Sequence, residues 1–201
     1  AGICAVTGTP DAPARVGVSL SDLATGLTAF SAILRALLQR GKTGHGVDLK
    51  ISMFDVMADW MNMPLLAHRY MGGAPDRMGL KHSFIAPYGA FRCANDALIL
   101  ISVQNNREFI ALCEQVLQQP QLPTDPRFSE NTARYANRIA LEAIVNAVFE
   151  GFSSTKMVQK LDAAKIANAR LNSVAELSEH PFLKNSNLIW YIMQPLISMF
   201  L

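Results

Sequence analysis

The group with the most chemical promise in this 201-residue sequence is the carboxylate of Asp22, within the string Ser21-Asp22-Leu23-Ala24-Thr25-Gly26. The string opens an amphipathic run, so the carboxylate falls in the first turn of a predicted helix. There the positive end of the helix dipole keeps an acid ionised and orients it. Gly26, one turn on, removes a side chain and lets a ligand come close. The commoner role of such an aspartate is only to offset the dipole, worth ~0.3–1 kcal/mol. Spacing alone favours that plainer role.

Other candidates are weaker for the same kind of reason. Gly72-Gly73 could form a mobile flap, although paired glycines between structured segments more often make a plain hinge. His82, ahead of the string APYGAF, and Tyr88, within it, could reach a ligand; a surface histidine and a half-buried tyrosine are the ordinary alternatives. Met53, Met57, Met61 and Met63 could line a soft binding surface, yet at helical spacing they read better as core filler. Arg127, Arg134 and Arg138 could bind an anion, or lie exposed, or cap a neighbouring helix. His45, His68, His82 and His180 are scattered and show no metal-ligand spacing, so no metal site is expected. No GxGxxG, P-loop, HExxH or GxSxG pattern is present.

Periodicity supplies the elements that must hold these residues. Leu23, Leu27, Phe30, Leu34, Leu37 and Leu38 fall at helical spacing behind Ser19 and Ser21, two candidate N-cap hydroxyls. Gly41, Gly44 and Gly46 should end that helix. Val47, Leu49, Ile51 and Met53 alternate with polar residues and predict a strand. A helix over 54–70 follows, with Pro64 predicting a kink or break. Beyond the Gly/Pro-rich stretch 71–83, YGAF and LILISV predict a β-hairpin turning at Ala94-Asn95-Asp96. Helical patterns then cover roughly 105–118, 137–150, 154–165 and 173–179. The fold class is α/β to α+β, with domains expected at 1–70 and 71–184. Residues 1–19 read as loop.

Composition narrows the setting. Half the residues are hydrophobic, 17% are charged and the net charge is only +2, which excludes a disordered chain. That weak charge is dispersed, so nucleic acid is not the expected partner. Cys4, Cys93 and Cys113 suit reduced thiols in a cytoplasmic protein better than a disulfide or zinc framework. The opening AGICAVTGTPDAP has neither an initiator Met nor a signal-peptide build, and reads as the middle of a longer chain. Residues 185–201 carry no charge and form an atypical apolar tail. That tail is too short, and interrupted by Pro195, for a spanning helix, so no membrane partner is expected.

Four strings, in this order, resemble the class III CoA-transferases, the formyl-CoA transferase and carnitine CoA-transferase-like family. They are VGVSLSDLATGLTAFSAILRALLQR with GKTGHGVDLKISMFD, then RMGLKHSFIAPYGAF, then DPRFSENTARYANR, and last RLNSVAELSEHP. The resemblance runs from residue 1 to about 184. It implies that residues 1–70 are a remnant of a large Rossmann-like domain (helix, strand, helix) carrying the aspartate helix. Residues 71–184 would be a small α+β domain with a hairpin and several helices.

The same resemblance implies that Asp22 is the catalytic nucleophile, passing through acyl-aspartyl anhydride and aspartyl-CoA intermediates. Gly26, Gly72, Gly73, His82 and Tyr88 become candidate substrate or CoA contacts. Coenzyme A and its acyl thioesters would be substrates, with no tightly bound cofactor. The chain would form an interlocked homodimer in the cytoplasm. The N-terminal half that supplies most of the CoA surface in the family is not in this sequence, so little or no activity is expected of the chain alone. An acyl-CoA racemase of the same family and a non-catalytic oligomerisation fragment remain alternatives. Short dicarboxylic acids are the expected acceptors.

Overall fold

The computed structural model describes residues 1–185, so the tail expected at 185–201 lies almost wholly outside the described residues. The chain divides into two units, Ala1–Phe84 and Ile85–Leu201.

The first unit is helical. A short α1 (Ile3–Val6), in a stretch whose composition reads as loop, precedes α2 (Leu20–Thr43), α3 (Met53–Trp60) and α4 (Asn62–Tyr70). The long amphipathic run does form one helix. Ser19 takes the N-cap position but its hydroxyl makes no capping bond. The helix runs through Gly41 and stops at Gly44, whose φ of 75° is left-handed and whose N–H donates to the Arg40 carbonyl at 2.8 Å. The predicted strand over 47–53 is a correction. Residues 45–52 pair with no strand among the described residues, and Met53 already begins α3. Alternation marks a strand only when a second strand offers its hydrogen-bonding edge.

The helix predicted over 54–70 is two helices meeting at Met61. Pro64 lacks the N–H that would bond the Trp60 carbonyl, so the helix restarts with proline in its first turn. Packing of α2 on α3 buries Ala24, Val56 and Met57, with Ile3 and Ile51 against them. That core is small. The wider apolar face of α2 (Leu23, Leu27, Phe30, Leu34, Leu37 and Leu38) is exposed. By length and composition alone, this 24-residue helix is apolar enough to cross a membrane.

The second unit is a three-stranded antiparallel sheet backed by helices. The predicted hairpin is present, with β1 (Tyr88–Arg92) paired to β2 (Leu98–Ser102) and the turn closed by Asp96 N–H donating to the Cys93 carbonyl. Then come α5 (Asn106–Ala111), continuing as a π-helical turn (Leu112–Val116), a 3₁₀ turn (Leu122–Thr124), α6 (Asn131–Ala136), α7 (Arg138–Phe149) and α8 (Ser154–Ala163). A third strand, β3 (Ala167–Arg170), pairs with β2 although nothing in its own residues predicts a strand; α9 (Val174–Ser178) and α10 (Pro181–Asn185) follow. Ile99 and Ile101 point from β2 into a core of Phe91, Phe109, Leu112, Phe128, Leu141, Val145, Phe149, Met157 and Leu161. At ~25 cal/mol per Å² of apolar surface, such a core dominates the stability of this unit. The mixed α/β class read from the sequence is the class observed.

Candidate functional site

Asp22 lies in the first turn of α2 with its side chain exposed, and α2 has no other acid in that turn. Thr25 and Thr28 turn their hydroxyls back to the Ser21 and Ala24 carbonyls at 2.6 and 2.9 Å. These hydroxyls are spent on their own helix. Gly26 stands one turn from Asp22 on the same helix. A Cβ built there would meet no atom within 4 Å, so packing in this unit does not demand glycine.

Gly72 and Gly73 are likewise exposed, and a Cβ at either meets nothing; Gly72 has a φ of 88°. The stretch just after them is tied down. Arg77 donates from Nε to the Thr9 carbonyl and from Nη2 to the Pro10 carbonyl, both at 2.9 Å. Gly79 N–H donates to the Gly8 carbonyl at 2.7 Å. Three successive carbonyls of the N-terminal loop are thus held by residues 77–79. Sequence inspection does not single out Arg77, because nothing in a sequence marks which backbone a guanidinium will grip.

His82 is half-buried. Its Nδ1 accepts from Phe84 N–H at 3.1 Å, which leaves Nε2 to carry the proton in the neutral ring. Its ring meets that of Phe84 edge-on at 6.3 Å. Tyr88, at the start of β1, is half-buried in the second unit, whereas the other five candidates belong to the first. Among the described residues, no three His, Cys, Asp or Glu side chains cluster to hold a metal.

The string DPRFSENTARYANR resolves into structural roles. Arg127 bridges Asp125 at 2.7 Å, and that hydrogen bond holds the Asp125 carboxyl below the usual carboxylate range. Phe128 is fully buried. Arg134 and Arg138 are neither exposed nor capping α-helices, the two plainer roles open to them; both are buried and grip carbonyls in their own unit. Burial pulls the Arg134 guanidinium below its ordinary value.

The chain matches the family described as CoA-transferase family III over residues 1–200 and belongs to that family. It is 36% identical over 190 residues to the acetyl-CoA:oxalate CoA-transferase of Acetobacter aceti, covering 94% of this chain and 48% of that protein. It is 30% identical over 199 residues to the succinyl-CoA:glutarate CoA-transferase of Mus musculus, covering 98% and 45%. Among solved structures it resembles a CAIB/BAIF family protein from Brucella suis at 32% identity and a TM-score of 0.69, covering 91% and 48%. The chain spans about half the length of the curated relatives it matches.

Proposed function

We propose that this chain bears the nucleophile of a CoA-transferase that moves CoA between an acyl-CoA thioester and a free carboxylic acid, with Asp22 as that nucleophile. The observation that carries the reading is an exposed carboxylate in the first turn of α2, in a chain matched along almost its whole length by the family. An Asp22 oxygen attacks the thioester carbonyl, the C–S bond breaks, and the CoA thiolate leaves an acyl-aspartyl anhydride. The thiolate attacks the aspartyl carbonyl of that anhydride, expelling the donor acid as its carboxylate and leaving aspartyl-CoA. The acceptor carboxylate attacks aspartyl-CoA to release the thiolate and form a second anhydride. Thiolate attack on the new acyl carbonyl yields the product thioester and restores Asp22. Splitting one transfer into such steps is nucleophilic catalysis by a carboxylate. The first-turn N–H groups of α2 favour negative charge that develops beside them.

Gly26 gives the thioester access, and Gly72, Gly73 and His82 belong to the substrate surface of the first unit in this reading; Tyr88 is a separate candidate contact in the second. The relatives named for oxalate and glutarate support a short dicarboxylate as acceptor and favour transfer over racemisation. The exposed apolar face of α2 supports a surface covered by protein in a homodimeric enzyme; a cytoplasmic setting belongs to the same proposal. The chain spans about half the length of these relatives, and in this reading the 201-residue chain alone turns over poorly.

The test is a chimera in which residues 1–185 replace the matched stretch of the Acetobacter aceti enzyme. It should transfer CoA to oxalate or glutarate, and acyl-CoA-loaded protein should be trapped by hydroxylamine at Asp22. Asp22→Asn should abolish both. Turnover that survives Asp22→Asn would overturn the assignment. Turnover by the chain alone that equals an intact relative would overturn the need for a covering surface.

A further inference from the structure

The two glycines after α4 stand in a stretch that makes few contacts of its own. Met71 N–H closes α4 on the Ala67 carbonyl at 2.8 Å, and residues 72–76 then make no hydrogen bond among the described residues. Gly72, Gly73, Ala74 and Asp76 are exposed. The chain is caught again at Arg77, which is half-buried. Its guanidinium donates to the Thr9 and Pro10 carbonyls, both at 2.9 Å, and two residues on Gly79 N–H donates to the Gly8 carbonyl at 2.7 Å. A planar fork that meets two carbonyls fixes direction as well as distance.

What Arg77 grips is held in turn to the helix that carries Asp22, all within the first unit. Residues 7–14 form a tight hairpin. Ala14 N–H donates to the Thr7 carbonyl at 2.7 Å, and Thr9 and Ala12 exchange backbone bonds at 3.0 and 3.2 Å. At the first end of the hairpin, Thr7 Oγ1 donates to the Ile3 carbonyl at 3.0 Å, and Ile3 packs against the cluster of Ala24, Val56 and Met57. Ala24 lies in α2 two residues beyond Asp22. From the second end the chain runs directly to Ser19, the N-cap residue of α2. The hairpin is therefore joined to the opening of α2 on both sides, and Arg77 joins the end of the glycine stretch to the hairpin. Among the described residues Arg77 forms no ion pair, so its fork and not its charge makes this link.

We propose that Arg77 is a positioning residue of the Asp22 site: its two-carbonyl grip sets where residues 72–76 stand relative to the opening of α2, and so pre-forms the surface that receives the acyl-CoA. The proposal rests on the reading of Asp22 as nucleophile and of the glycine pair as substrate surface. Docking against a stretch fixed at both ends costs less ordering than docking against one free at an end. That gain belongs to binding and not to the bond-making steps at Asp22, so loss of the fork raises KM and leaves kcat. A residue that only stabilised the fold would act the other way. Its loss would lower apparent kcat by lowering the folded fraction, and KM would stay.

The test is Arg77→Lys, which keeps the charge but loses the planar fork. In the 201-residue chain, hydrogen exchange of the Gly79 amide should quicken about fivefold to tenfold, as loss of one hydrogen bond implies, while the α2 amides keep their protection. In the chimera with the Acetobacter aceti enzyme, KM for the acyl-CoA should rise by about the same factor, with kcat and hydroxylamine trapping at Asp22 unchanged. An unchanged Gly79 amide in the chain would overturn the role of Arg77. So would an unchanged KM in a chimera that is trapped at Asp22, or a fall in kcat at constant KM; both leave the nucleophile standing. An unaltered chimera that is not trapped at Asp22 would instead overturn the functional reading, and this proposal with it.

Discussion

Replacing Gly8 with alanine tests how the N-terminal loop is held against the stretch after Gly72-Gly73. Gly8 has a φ of 118°, and a Cβ there would stand 2.3 Å from the Ala12 carbonyl oxygen, 2.6 Å from Ala14 N and 2.9 Å from the Pro13 carbonyl carbon. All three contacts are backbone, so no side chain can swing away. An L-residue in that region of φ carries roughly 1–3 kcal/mol of strain. Opening the loop to relieve the contacts removes the Ala14 N–H bond to the Thr7 carbonyl and the Gly79 N–H bond to Gly8, at 2.7 Å each. Each is worth ~0.5–1.5 kcal/mol net. The expected cost is therefore about 2–6 kcal/mol, placed on a unit whose core cluster is Ala24, Val56 and Met57 with Ile3 and Ile51 against it. Amide exchange read by mass spectrometry should show residues 7–14 and 77–80 losing protection, with the second unit unchanged. Retained protection of the Gly79 and Ala14 amides in Gly8→Ala would refute the argument.

Two further outcomes concern the second unit. Phe149 is fully buried and meets the Phe91 ring at 5.4 Å, so Phe149→Ala should lower stability in urea by ~3–5 kcal/mol; a loss under about 1 kcal/mol would contradict the packing. Burial pushes the Cys113 thiol up to about 12 from 9.0, with Arg134 opposing the rise and Glu114 adding to it. The folded state therefore keeps a proton that the unfolded thiol sheds above about pH 9. The stability contribution is present below that pH and is lost as pH rises toward 12, at a slope of up to ~1.4 kcal/mol per pH unit. Unfolding titrations from about pH 8 to 11 should show a shallower decline in Cys113→Ala, and equal slopes would exclude the thiol as a cause.

Strong periodicity in this sequence is enough to locate α2, the hairpin, α7 and α8, because those elements draw on local hydrogen bonds and one buried face. The acid at the start of α2 is legible for the same reason, since a helix start is written in adjacent residues. Tertiary structure decided the rest. Val47, Leu49 and Ile51 alternate as a strand would, yet no described strand lies beside them, and pairing is a property of two segments. Ala167, Asn168, Ala169 and Arg170 carry no strand signal, yet β2 offers them an edge, and they pair. Arg134 and Arg138 read as surface cations until the fold brought the carbonyls of Ile85 and Ala86 to them. Local chemistry can be spelled out along a chain; which distant backbone a side chain will hold depends on where the chain returns.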